Sequence, residues 1–153
     1  MTLPLEGVLV ADFSRVLAGP LAAATLADLG AEVIKVERPR VGDDTRHWGP
    51  PWTNTSSSYF ECANRSKKSI ELDLSEPADL ELAQELASRC DVLIENFRSG
   101  ALDRRGLGYS AVSARNPNVV YASITGFGSQ GGAPLAGYDF LVQAVGGLMS
   151  ITG

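Results

Sequence analysis

Three segments in direct succession near the start of the chain leave few folds open. Gly7 to Phe13 (GVLVADF) is short, β-branched and nearly all apolar, the signature of a strand covered on both faces. An alanine- and leucine-rich stretch follows, with Pro20 at its start and Gly30 at its end, which predicts a helix closed by a glycine cap. Val33 to Glu37 (VIKVE) then supplies a second strand. Two parallel strands need such a crossover, so the three segments form a βαβ unit.

The alternation continues. Ser69 to Leu74 (SIELDL) reads as a third strand, with Ser75 as N-cap and Pro77 just inside a helix that runs to about Arg89. Asp91 to Asn96 (DVLIEN) is the fourth strand and Val119 to Thr125 the fifth. Helical stretches are predicted near 101–107, 110–115 and 140–149. The class is therefore α/β: a Rossmann-like, mainly parallel sheet with helices on both faces, in one domain over 1–153. Residues 38–58, rich in Pro, Gly, Asp, Thr, Asn and Ser, form a long loop of the kind that covers a ligand or wraps a partner.

Composition excludes several functions. The net charge of −5 argues against nonspecific nucleic-acid binding, which needs surplus Lys and Arg. No apolar run reaches the roughly 20 residues of a membrane-spanning helix, and the start MTLPLEGVLV lacks the features of a secretory signal, so a cytoplasmic protein is expected. Cys62 and Cys90, the only cysteines, have neither disulfide-framework nor zinc spacing, and His47 is the only histidine, so no metal is expected.

Two glycine and acid cues point to a dinucleotide and both fail on context. Gly126-Phe-Gly128-Ser-Gln-Gly131 has the spacing of a nucleotide fingerprint, but Gly132, Pro134 and Gly137 follow where a helix must begin. Glu37 stands where a ribose-binding acid is expected, yet the turn before the first helix holds only Gly19. The positive charges are more informative. Arg38, Arg40, Arg46, Arg65, Lys67 and Lys68 form one group and Arg98, Arg104 and Arg105 another, in loops read as the carboxyl edge of the sheet. They are read either as anchors for a multiply phosphorylated ligand or as a solvated charged face.

LAGPLAAATLADLGAEVIKVERP, ANRSKKSIELDL, DVLIENFRSGALDRRGLGY, ASITGFG and GYDFLVQAVGGLMSITG, in that order, resemble the N-terminal half of the class III CoA-transferases, a family that includes formyl-CoA transferase, carnitine CoA-transferase and alpha-methylacyl-CoA racemase. The resemblance implies that coenzyme A, as substrate rather than prosthetic group, is held by Arg38, by Leu72, Asp73, Leu74 and Ser75, by Asn96, Phe97 and Arg98, and by Arg104. It implies that Val16, Leu17 and Ala18 border the thioester end, with Tyr138 beside it. It further implies an acyl-CoA and a carboxylic acid as partners and an interlocked homodimer at full length. The family's nucleophile is an aspartate that forms a mixed anhydride and then an aspartyl-CoA thioester. By the resemblance that aspartate follows GLMSITG, beyond Gly153, so the chain is expected to be truncated before it; Asp139 belongs to a different motif.

Two departures bear on subclass. The racemases carry a histidine where Tyr138 stands, and a phenol abstracts protons less readily than an imidazole, so a transferase is favoured. Formyl-CoA transferase carries a glutamine where Leu17 stands; leucine cannot hydrogen-bond a small polar acyl group, which favours a larger or less polar acid. The remaining alternatives are a CoA-binding module without catalysis and a nicotinamide-dependent dehydrogenase domain.

Overall fold

The computed structural model describes residues 2–152. Its sheet contains β1 (Leu9–Asp12), β2 (Glu32–Glu37), β3 (Lys68–Glu71), β4 (Val92–Glu95) and β5 (Val120–Ser123), in the order β3-β2-β1-β4-β5, and every neighbouring pair is parallel. The order reverses direction at β1 and β4, so the switch point of the sheet lies between them.

Alternation along β1 sets the two cores. Val10 faces one side, where it packs with Val33, Ile94 and Ala23 of helix α1 (Ala18–Asp28). Ala11 faces the other, with Leu93, Ala83 and Ala87 of α3 (Pro77–Arg89) and Val112 of α4 (Tyr109–Arg115). Helices thus cover both faces, as the apolar strands demand.

Local details depart from the sequence expectation for physical reasons. Helix α1 begins at Ala18, two residues ahead of Pro20, because proline is tolerated throughout the first turn, where its missing N–H is not needed. Ser75 is not the N-cap of α3: that position is Glu76, and the Ser75 hydroxyl instead donates to Asp73 Oδ1 at 2.5 Å. The 38–58 segment holds a 3-10 turn (Asp44–His47) and leads into an unexpected helix, α2 (Ser58–Asn64), whose cap is Ser57, its hydroxyl accepting from the Phe60 amide. The stretch expected to be helical over 101–107 holds only a 3-10 turn, Asp103–Arg105. The last expected helix is split into α5 (Asp139–Val145) and α6 (Met149–Thr152), since Gly147 takes φ 79° between them. In the glycine-rich loop, a Cβ on Gly126 would lie 2.6 Å from the Gly137 Cα, so glycine there permits two backbone segments to touch.

Candidate functional site

Beyond the carboxyl ends of β1, β2 and β3 lies a cleft of about 600 Å³, within the usual size range of small-molecule sites. Its walls include Phe13 and Arg15 after β1, Glu37 to Asp43 after β2, Leu72 to Ser75 after β3, and Phe97 and Arg105 beyond β4. Of the residues expected at a ligand, Arg38, Leu72, Asp73, Leu74, Ser75 and Phe97 line this cleft.

The other expected residues lie elsewhere. Asn96 spends its amide on the backbone of Arg15, accepting from its N–H at 2.8 Å and donating to its carbonyl at 2.7 Å. Arg104 and Arg98 are exposed and outside the cleft walls, whereas Arg105 lines the cleft and donates to the carbonyls of Leu74 and Ala101. Val16, Leu17 and Ala18 form the turn into α1, with Leu17 and Ala18 exposed; Tyr138 caps α5 and is exposed.

The two basic groups divide sharply. Arg46 forks onto Glu37, with Nε to Oε2 at 2.8 Å and Nη2 to Oε1 at 2.7 Å. Arg65 pairs with Asp28, and Lys68 with Glu32 near the amino ends of β3 and β2. Lys67 is buried and donates to Asp12 Oδ2, the Pro20 carbonyl and Asn64 Oδ1 at 2.8–2.9 Å, which uses all of its protons. That leaves Arg38, Arg40 and Arg105 on the cleft, joined by Arg15, which belongs to neither group in the sequence. The Arg15 guanidinium lies 5.2 Å from the Phe97 ring centroid, and both Arg15 and Arg38 face Asp44.

A buried polar network adjoins the cleft, whose lining includes its members Lys35 and Asp43. The Lys35 Nζ lies 3.0 Å from Asp43 Oδ2 and donates to the Ser14 carbonyl at 2.8 Å. Asp43 also accepts from the Thr45 amide and hydroxyl and from the Val16 amide. Burial pushes the Asp43 carboxyl up, but the Lys35 charge and the Thr45 hydrogen bonds outweigh it and leave it below the ordinary value. Val16 has φ 70°, a conformation that costs a β-branched residue on the order of 1–3 kcal/mol and persists only where the surroundings over-determine it.

Glu37 makes the network acid-sensitive. Burial raises its pKa, yet hydrogen bonds from Arg46, Ser69 and the Asp43 amide bring it from 4.5 down to about 2. Because the folded value is the lower one, this stabilisation is complete above the unfolded pKa and is lost as pH falls from about 5 toward 2. A shift of this size corresponds to roughly 3 kcal/mol. Urea midpoints for the wild type and Glu37→Gln are expected to differ widely at pH 6, to draw together below about pH 4.5 and to meet only near pH 2; parallel pH profiles would contradict the assignment.

The sequence profile of CoA-transferase family III matches residues 5–153. The chain belongs to that family. It is 53% identical over 153 residues to the succinyl-CoA:glutarate CoA-transferase of Mus musculus, covering 98% of this chain and 35% of that protein. It is 49% identical over 157 residues to the succinate–glutarate CoA-transferase of Agrobacterium fabrum, covering 98% of this chain and 39% of that protein. A CAIB/BAIF family protein from Brucella suis superposes with a TM-score of 0.94 at 48% identity, over 100% of this chain and 42% of that one. The chain thus spans between a third and two fifths of the length of the curated relatives it matches.

Proposed function

We propose that this chain is the coenzyme A-binding part of a CoA-transferase that moves CoA between an acyl-CoA thioester and a carboxylic acid through an aspartyl-CoA intermediate. The observation that carries the reading is the cleft at the carboxyl edge, where Arg38, Leu72 to Ser75, Phe97 and Arg105 converge. Arginines there match the phosphates of CoA, while Leu72, Leu74 and Phe97 offer apolar surface to its adenine. Within this reading Asn96 acts by fixing Arg15, Val16 to Ala18 border the thioester end with Tyr138 beside it, and Arg98 and Arg104 are reached by the ligand's outer parts. The catalytic aspartate is carried beyond Gly153.

The acids are proposed to be dicarboxylates of succinate or glutarate size. The activities for which the Mus musculus and Agrobacterium fabrum relatives are named support this, and the apolar, exposed Leu17 suits a chain longer than formate. Tyr138, in place of the racemases' histidine, supports transfer over racemisation. Two free thiols, Cys62 and Cys90, suit a reducing compartment, and the reading places the protein in the cytoplasm. An interlocked homodimer at full length is supported by the exposed Phe140, Val145 and Ile151 of α5 and α6, at 77%, 65% and 81%.

Titration with CoA tests the site. Arg38→Ala is expected to weaken binding by roughly tenfold to a hundredfold, the loss of one charge-assisted phosphate contact at about 1.5–3 kcal/mol. Arg104→Ala and Arg105→Ala, measured alongside, identify which of the adjacent arginines the ligand uses. An unchanged dissociation constant for Arg38→Ala would remove that residue from the site.

A further inference from the structure

Three consecutive residues of the turn between β1 and α1 have their backbone held by side chains from distant parts of the chain. The Ser14 carbonyl accepts from Lys35 Nζ at 2.8 Å. The Arg15 N–H and carbonyl are both taken by Asn96. The Val16 N–H donates to Asp43, at 3.2 Å to Oδ2. Two of these three holders, Lys35 and Asp43, are bonded to each other and are 1% exposed as residues. The turn needs such restraint, because Val16 sits at φ 70°.

We propose that Asp43 is a positioning residue: acting through the Val16 amide, its buried carboxylate holds the β1–α1 turn in the left-handed conformation that sets Arg15 on the cleft wall and Val16 to Ala18 beside it. The inference rests on the CoA-transferase reading for what the turn serves, and on the geometry alone for what Asp43 does. Asp43 also closes the 38–58 loop onto the sheet, since its own amide donates to Glu37 and its Oδ1 accepts from the Thr45 amide and hydroxyl. One carboxylate therefore ties the loop that overlies the cleft to the turn at its edge.

The two oxygens have different duties, which makes asparagine a selective probe. Oδ1 faces the two Thr45 donors at 3.0 and 2.7 Å. Oδ2 faces Lys35 Nζ at 3.0 Å and is the nearer acceptor of the Val16 N–H at 3.2 Å, which reaches Oδ1 only at 3.4 Å. In Asp43→Asn the amide oxygen stays with Thr45, and the amide nitrogen then points a donor at donors, so the hold on Val16 is reduced to the long contact with that oxygen while the loop contact is kept.

Hydrogen exchange reads the geometry directly. In Asp43→Asn the Val16 amide is expected to exchange about tenfold faster relative to amides of β1, because its nearer acceptor is gone. In the parent polypeptide, kcat for CoA transfer is expected to fall on the order of ten- to a hundredfold, with KM for the acyl-CoA changed far less, since the ligand is still bound but its reacting end is misplaced. Val16→Gly, placed in the Asp43→Asn background, is expected to restore part of kcat, because glycine adopts φ 70° without the strain that Asp43 opposes. A purely structural role would lower activity only in step with the folded fraction and would gain nothing from the glycine. Should Asp43→Asn fail to fold, Asp43→Glu, which keeps a carboxylate for Lys35 but displaces it from the Val16 amide, carries the same measurements. An unchanged Val16 exchange rate, or an unchanged kcat, in a folded variant overturns the proposal. If the wild type shows no transferase activity, the functional reading falls by itself, and Val16 exchange still decides the role of Asp43.

Discussion

Asp12→Ala is expected to destabilise the protein by about 3–5 kcal/mol, because it leaves the ammonium of Lys67 buried without its counter-ion. Both side chains are almost wholly enclosed, at 0% and 2% exposure, and lie 2.8 Å apart. Burial already lowers the Lys67 pKa, with the Asp12 charge opposing that effect, so removing the carboxylate adds to an existing penalty. The carboxylate has a second duty, accepting from the Ser14 amide at 3.0 Å and from its hydroxyl, and those donors are orphaned too. Lys67 meanwhile joins β1 to the Pro20 carbonyl in α1 and to Asn64 at the end of α2, so the loss spreads over three elements. With a denaturant slope near 2 kcal/mol per molar, the urea midpoint is expected to drop by roughly 1.5–2.5 M. Replacing both members by apolar residues, as in Asp12→Val/Lys67→Met, should recover much of the loss, since the net worth of a buried pair is small compared with the cost of breaking it. A drop below about 0.5 M for Asp12→Ala alone would show that water or another acid compensates Lys67.

That pair also marks the boundary of what local sequence signals carry. The order of strands and helices is legible because β-branched runs and glycine or proline boundaries are local signals, and the parallel sheet follows from their alternation. Helix α2 is not legible in the same way. The tract ahead of it (Thr53, Asn54, Thr55, Ser56, Ser57) reads as loop throughout, and only the Phe60 amide, satisfied by the Ser57 hydroxyl, reveals the helix start. The basic groups are visible as charge, but not as pairs: the acids that neutralise Arg46, Arg65, Lys67 and Lys68 stand 9 to 55 residues away along the chain. Spacing within a motif carries no information about such partners. The same limit applies to Asn96, whose amide is spent on a backbone 81 residues distant, and to Arg15, the cleft residue whose backbone that amide holds.

The second large effect concerns catalysis. Mixed-anhydride formation requires a carboxylate set against the thioester carbon, and the proposed nucleophile is the aspartate that follows GLMSITG in the family. Groups that hold CoA and border its thioester cannot supply that carboxylate. Asp139 is exposed at the start of α5, where its carboxylate accepts from Gln143, and it lies outside the cleft walls. Losing a covalent nucleophile leaves an enzyme with only binding and electrostatic catalysis, on the order of a millionth of the full rate in a well-measured case. Residues 1–153 alone are therefore expected to be silent, while the parent polypeptide turns over.

The most direct test assays both, at equal concentration, with succinyl-CoA and glutaryl-CoA as donors, free dicarboxylic acids as acceptors, and hydroxylamine to trap an enzyme-bound acyl or CoA adduct. The account predicts exchange of CoA between the acids and a trapped aspartyl adduct in the parent polypeptide, and neither in residues 1–153. A parent polypeptide that moves no CoA, or an adduct that forms on residues 1–153 alone, would contradict it.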